Sequence, residues 1–177
     1  MSNTQAPRHS LTQALLPLLA CAAALAGCAN YRLGTTLPPN LKTIHVATFE
    51  NHTAEPNIEQ KITTAVLRQF QHDGQLKVVS AEDQADISLT AVLKSYDVDS
   101  LLYERGNPSA TRRYRARIFC DIDATETATG RTVVKRQVVG DTTFPAAGDT
   151  VTARRNALED VARDLATEVV DAVIGAW

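Results

Sequence analysis

Four kinds of side chain in this 177-residue chain are of types that do chemistry. The first is the thiol, at Cys21, Cys28 and Cys120. The second is a row of arginines. Arg113, Arg115 and Arg117 alternate in "RRYRARIF", with Arg112 beside them and Arg105 upstream. On a strand such a row shares one face at a spacing of about 6.6 Å. The planar guanidinium fork suits phosphate oxygens, so the row could take a polyanion such as a phosphorylated glycolipid. The plain reading of the same row is a charged solvent face that keeps a sheet soluble and blocks edge pairing. The third is a carboxylate pair, Asp121 and Asp123, on one strand face. Paired carboxylates can do acid–base work. Here Arg117 and the cross-strand Lys135 or Arg136 are placed to neutralise them, and a solvated ion-pair surface is expected. The fourth is histidine, at His9, His45, His52 and His72, with no metal-ligand spacing. The chain has no H-E-x-x-H, no G-x-S-x-G and no glycine-rich phosphate loop. No enzyme, metal or dissociable cofactor is expected.

Cys28 closes "LAGC" at the end of an apolar stretch, residues 11–26. That stretch is too short and too poorly flanked for a transmembrane helix. Arg8 is the one formally charged side chain ahead of Cys28, "LLPLLACAAALA" is an apolar h-region, and small residues follow at Ala26 and Gly27. This is the pattern of a signal peptide, residues 1–27. Leu25, Ala26, Gly27 and Cys28 also resemble the lipobox of bacterial lipoproteins. The resemblance implies acylation of the Cys28 thiol, cleavage before it and acylation of the new amino terminus. Covalent acyl chains on Cys28 are then the one prosthetic addition. A single acyl chain binds a membrane marginally and several anchor it stably. Ala29 stands where many such lipoproteins carry an Asp that retains them in the inner membrane, which points to the outer membrane. Cys120 is left as the one free thiol of the mature chain, so no internal disulfide forms, and in an oxidising compartment it should be buried. Asn51-His52-Thr53 matches the glycosylation sequon and is read as coincidence in a bacterial chain.

These groups need elements to position them. The chain is 44% hydrophobic and 21% charged, a globular composition, and its formal net charge of -2 argues against a nucleic-acid binder. Residues 28–42 are a polar tether with Pro38-Pro39, and one domain spans 43–177. "TIHVAT" at 43–48 predicts a strand, and "ENHTAEP" at 50–56 a loop. Ile58, Ile62, Val66 and Phe70 predict a helix with Pro56 in its first turn, running to about Asp73 and stopped by Gly74. A short strand follows at 76–79, a polar connection at 81–86, and an alternating strand at 87–99. After a turn at Gly106-Asn107-Pro108 comes the clearest strand. It places Tyr114, Ala116, Ile118, Cys120, Ile122 and Ala124 inward and the arginines outward. A turn at Gly130 leads to a hairpin partner at 132–140 and a loop at 144–149. The last helix runs from about 151 to 173, with Asp149 or Thr150 as N-cap. The expected fold is α+β: a small mixed or antiparallel sheet of four to five strands with two helices packed on one face. The other face is solvated or covered by a partner.

The order of these segments resembles the lipopolysaccharide-assembly lipoprotein family (LptE family). "ANYRL" after Cys28 is similar to the family's Cys-Gly-Tyr start, with Asn30 departing from the glycine. "LPPNLKTIHVATFENHTAEPNIEQKITTAVLRQF" resembles its first strand, its F-E-N-x-T loop and its first helix. "TATGRTVVKRQVVGDTTFPAAGD" resembles its late hairpin and following loop, and "RRNALEDVARDLATEVVDAV" its C-terminal helix. The resemblance implies a lipid-anchored protein on the periplasmic face of the outer membrane. It implies two partners: the large β-barrel of the lipopolysaccharide translocon, inside which it lodges and whose assembly it assists, and lipopolysaccharide, which it helps deliver to the outer leaflet. "VATFEN" is also reminiscent of curli-secretion and penicillin-binding-protein-activator lipoproteins. Those are the alternative.

Overall fold

The computed structural model describes residues 37–101, 113–145 and 150–177. In chain order they form β1 (Thr43–Val46), β2 (Glu50–Asn51), α1 (Ile58–Asp73), β3 (Lys77–Val78), a short 3-10 turn (Glu82–Gln84), β4 (Ile87–Leu101), β5 (Arg113–Glu126), β6 (Thr132–Pro145) and α2 (Thr150–Ile174). One mixed sheet runs β3-β1-β4-β5-β6, with β2 also paired to β4. β1, β2 and β3 run parallel to their neighbours. β4, β5 and β6 are antiparallel. The α+β class stands as expected.

The strand count exceeds the expectation by one, because Glu50–Asn51 lies within the segment read as a loop. β1 and β2 run along the same edge of β4. Just after β1 the Ala47 N–H donates to the Leu89 carbonyl at 3.0 Å, and just after β2 the His52 N–H donates to the Leu93 carbonyl at 2.9 Å. The chain breaks strand geometry only to drop Phe49 into the core, where its N–H donates to Thr63 Oγ1 at 3.1 Å. A buried N–H must find an acceptor, and the hydroxyl on α1 supplies it.

α1 carries Ile58, Ile62, Val66 and Phe70 on its buried stripe, all at 0% exposure. It begins two residues after Pro56, which lies in the preceding turn rather than in the first helical turn. Asn57 takes the left-handed conformation there (φ 60°). Gly74 ends the helix left-handed at φ 73°, its N–H on the Phe70 carbonyl at 3.1 Å. α2 brings Leu158, Val161, Leu165, Val169 and Val173 to the same core. It packs on β5 and β6, and α1 lies beside it against β2 and β3, so both helices cover one sheet face.

α2 can lie this close to β6 because of Gly140. A Cβ built there would sit 2.6 Å from Leu165 Cβ and 2.7 Å from the Val161 carbonyl oxygen. A second tie fixes the helix to the sheet edge: the Asp141 N–H donates to Asp164 Oδ2 at 2.8 Å. The chain end closes back on the β5–β6 turn, where the Arg131 guanidinium lies 5.0 Å from the Trp177 ring centroid.

Asp86 clamps the start of β1. Its carboxylate accepts from the N–H of Lys42 (2.8 Å), the N–H of Thr43 (2.9 Å) and the Thr43 hydroxyl (2.8 Å). The Lys42 N–H is the largest cause holding its pKa below the ordinary 3.8; the Thr43 donors add to it and partial burial opposes it. A lowered folded-state pKa contributes stability that is fully present above the ordinary value and is lost as pH falls through the folded one. Asp86→Ala is therefore expected to cost about 2 kcal/mol at neutral pH. Denaturant melts of both proteins at falling pH should show that difference shrinking below the ordinary carboxylate range.

Candidate functional site

The sheet face turned away from the helices holds the arginine row, and a β-bulge determines what stands beside it. Pairing of β4 with β5 shifts between Leu93 and Ser95, leaving Lys94 extra. Up to Leu93 the odd-numbered side chains point into the core: Ile87, Leu89, Ala91 and Leu93 are buried. Beyond the bulge the phase reverses, so Ser95, Asp97 and Asp99 stand on the open face opposite Phe119, Arg117 and Arg115. On the other side β6 places Asp141 opposite Arg117 and Thr143 opposite Arg115. The arginines therefore stand between carboxylates on both neighbouring strands, Asp97 and Asp99 on β4 and Asp141 on β6.

The ion pairs run diagonally. Arg115 Nε donates to both carboxylate oxygens of Asp141, at 2.9 and 2.8 Å, and its Nη2 also contacts Oδ2. The Arg115 hydrogen bond holds the Asp141 carboxyl below its ordinary range, and Asp141 in turn raises the Arg115 pKa. Arg117 Nη2 meets Asp99 Oδ2 at 2.5 Å, and its guanidinium lies 5.7 Å from the Phe119 ring centroid. Arg113 is exposed and has no ion pair among the described residues. Arg105 and Arg112 lie outside the described residues. Of the three arginines singled out in sequence, two are thus committed to internal carboxylates and one is open. A polyanion approaching this face meets Arg113 directly and must compete with Asp141 and Asp99 for the others.

The carboxylate pair is also engaged. Lys135 Nζ donates to Asp123 Oδ2 at 2.6 Å, and Gln137 Nε2 to Asp121 Oδ1 at 3.1 Å. The partner of Asp121 is a glutamine and not a base, because Arg117 is taken by Asp99 and Arg136 stands opposite Ile122 on the other face.

Cys120 is fully buried on the inner face of β5, as the alternation predicts. Burial first, and then the charge of Asp121, pushes its thiol up to about 12, so no reactive thiolate forms at neutral pH. Tyr114, expected inward with it, is half-buried and stacks on Phe144 with ring centroids 5.5 Å apart. Cys28, the signal segment 1–27, most of the tether and Asp149 lie outside the described residues.

The loop after β1 is built around Asn51. Its Nδ2 donates to the Glu55 carbonyl (2.9 Å) and to Glu59 Oε2 (3.0 Å). Its Oδ1 accepts from the N–H and hydroxyl of Thr53 at 2.9 and 2.8 Å. The F-E-N-x-T sequence is thus a self-bonded turn that joins β2 to α1, and the amide nitrogen a glycan would need is already committed. Sequence reading missed the roles of Asn51, Thr63, Asp86 and Gly140. Short polar residues and a glycine beside apolar runs were the available signals, but their partners lie 2 to 44 residues away. Among the described residues no group of three His, Cys, Asp or Glu side chains is placed to hold a metal ion. No described helix is long and apolar enough to cross a membrane.

The family model for lipopolysaccharide assembly (LptE) matches residues 41–173, which take in every strand and both helices down to the last turn. The chain belongs to the lipopolysaccharide-assembly family. Solved structures share this fold at low identity. A protein of Xanthomonas campestris is 15% identical with a TM-score of 0.57, over 81% of this chain and 91% of that one. A dodecameric PelC variant from Paraburkholderia phytofirmans is 16% identical with a TM-score of 0.50, over 80% and 96%. A hypothetical protein of Chlamydia trachomatis is 6% identical with a TM-score of 0.50, over 76% and 99%. At these identities the likeness is one of fold. No curated protein matches the chain.

Proposed function

We propose that this chain is a non-catalytic lipoprotein of lipopolysaccharide assembly, held on the periplasmic face of the outer membrane by acyl chains on Cys28. In this reading it assists assembly of the translocon β-barrel and helps deliver lipopolysaccharide to the outer leaflet. The observation that carries the reading is the match of the lipopolysaccharide-assembly family model to residues 41–173. The leader ending in "LAGC" supports the anchor, because a thiol at the end of an h-region is where acylation can attach a chain whose fold has no other membrane segment among the described residues.

The open sheet face supports a binding role. Arg113, Arg115 and Arg117 are the proposed lipopolysaccharide contacts, and their geometry ranks them. Arg113 has no ion pair among the described residues and can meet a phosphate directly. Arg115 and Arg117 bind only by exchanging Asp141 and Asp99 for the ligand, which lowers their net contribution. Replacing all three with Ser leaves Asp141 and Asp99 uncompensated on the same face, so the variant loses donors and gains repulsion. Its affinity for lipopolysaccharide, measured by titration of the folded protein, should fall at least tenfold, with Arg113→Ser alone giving most of the loss. An unchanged affinity would remove this face as the binding site.

A further inference from the structure

The seam between α1 and α2 forms an open groove of about 630 Å³ on the opposite side of the molecule from the arginine row. One wall is basic. At 100° per residue, Arg68 and His72 return to within about 20° of Lys61, so the three form a straight row along α1. Lys61 and Arg68 stand about 10.5 Å apart along the axis. Both are exposed, and neither has an ion pair among the described residues. The carboxylates of α1 are turned elsewhere. Glu59 accepts from the Asn51 amide at 3.0 Å, and Asp73 from the Gln75 N–H at 3.2 Å. The α2 wall carries Glu159 and Arg163, and Arg163 Nη1 is held by Asp160 at 3.0 Å. Ala65 and Ala162 also line it, one from each helix, and are small enough for a backbone to come close. Gln60 and Gln69 leave amide groups along the rim.

We propose that this groove is the docking site for an acidic amphipathic helix of a partner protein. Three features select a helix. A seam between two packed helices has the shape a third helix fills. Lys61 and Arg68, seven residues apart, match carboxylates seven residues apart on a facing helix. Glu159, with no ion pair among the described residues, calls for a base on the incoming segment, which a peptide supplies and a phosphate cluster does not. The site is independent of the lipopolysaccharide face on the other side of the sheet.

The test uses the full-length protein in detergent micelles and two synthetic 21-residue helical peptides read by fluorescence anisotropy. One carries Glu at seven-residue spacing on an Ala face with a Lys set to meet Glu159; the other has Lys in place of each Glu. The Glu peptide should bind and the Lys peptide should not. Lys61→Glu with Arg68→Glu should weaken the Glu peptide at least tenfold and let the Lys peptide bind. Both substituted side chains are exposed, so the fold is retained. Equal binding of the two peptides, no binding of either, or an effect of the double variant on lipopolysaccharide vesicles alone would overturn the assignment.

Discussion

Gly140→Ala is expected to lower the stability of the fold by about 3 kcal/mol, at the upper end of what one added methyl costs in a packed core. The added Cβ meets Leu165 Cβ at 2.6 Å, the Val161 carbonyl oxygen at 2.7 Å and the Leu165 backbone nitrogen at 2.8 Å. A long side chain could swing aside, but two of these atoms are the backbone of α2. Relief therefore requires the whole helix to move off β6. That movement would also pull Asp164 from the Asp141 N–H, which it accepts from at 2.8 Å. In a thermal melt of the domain the loss should appear as a fall in Tm of about 10 °C. A change within about 0.5 kcal/mol, the size of an ordinary surface substitution, would mean that α2 does not rest on β6 as described.

The largest effect on behaviour in the cell is expected from Cys28→Ser. An acyl chain contributes about 0.8 kcal/mol per buried methylene, and stable attachment takes more than one chain. Serine has no thiol to form the thioether. The variant should therefore lose the lipid on that side chain, and with it the processing that exposes the amino terminus for a further chain. Metabolic labelling with a fatty-acid probe, followed by membrane fractionation, checks this. The variant should be unlabelled and should leave the outer-membrane fraction. A Cys28→Ser protein that still carries lipid would overturn the assignment of both the anchor and the compartment.

The elements were more legible in the sequence than the site was. Periodicity alone placed Ile58, Ile62, Val66 and Phe70 on the buried stripe of α1, and Ile118, Cys120 and Ile122 inside β5. These signals are local: a side chain's face follows from its neighbours three, four or two positions away. The ion pairs of the arginine row are not local. Asp99 belongs on the open face only because the bulge at Lys94 reverses the alternation. Without the bulge, its odd number would send it inward with Leu93. Asp141 lies just past residue 140, where the hairpin partner of β5 was expected to end, whereas β6 continues to Pro145. The two acids that neutralise the row therefore lay on the wrong face and beyond the expected strand. The row consequently looked more open in sequence than it is. Gly140 was likewise illegible, because what makes it necessary is α2, 21 to 25 residues further on.

The central claim is that this member of the lipopolysaccharide-assembly family works on the outer-membrane translocon. It is tested most directly by affinity purification of the intact lipoprotein from solubilised outer membranes, with mass spectrometry of what accompanies it. The account predicts a single dominant partner, a large outer-membrane β-barrel, together with lipopolysaccharide. Recovery of a cell-wall synthase or a secretion ring in place of the barrel would contradict it.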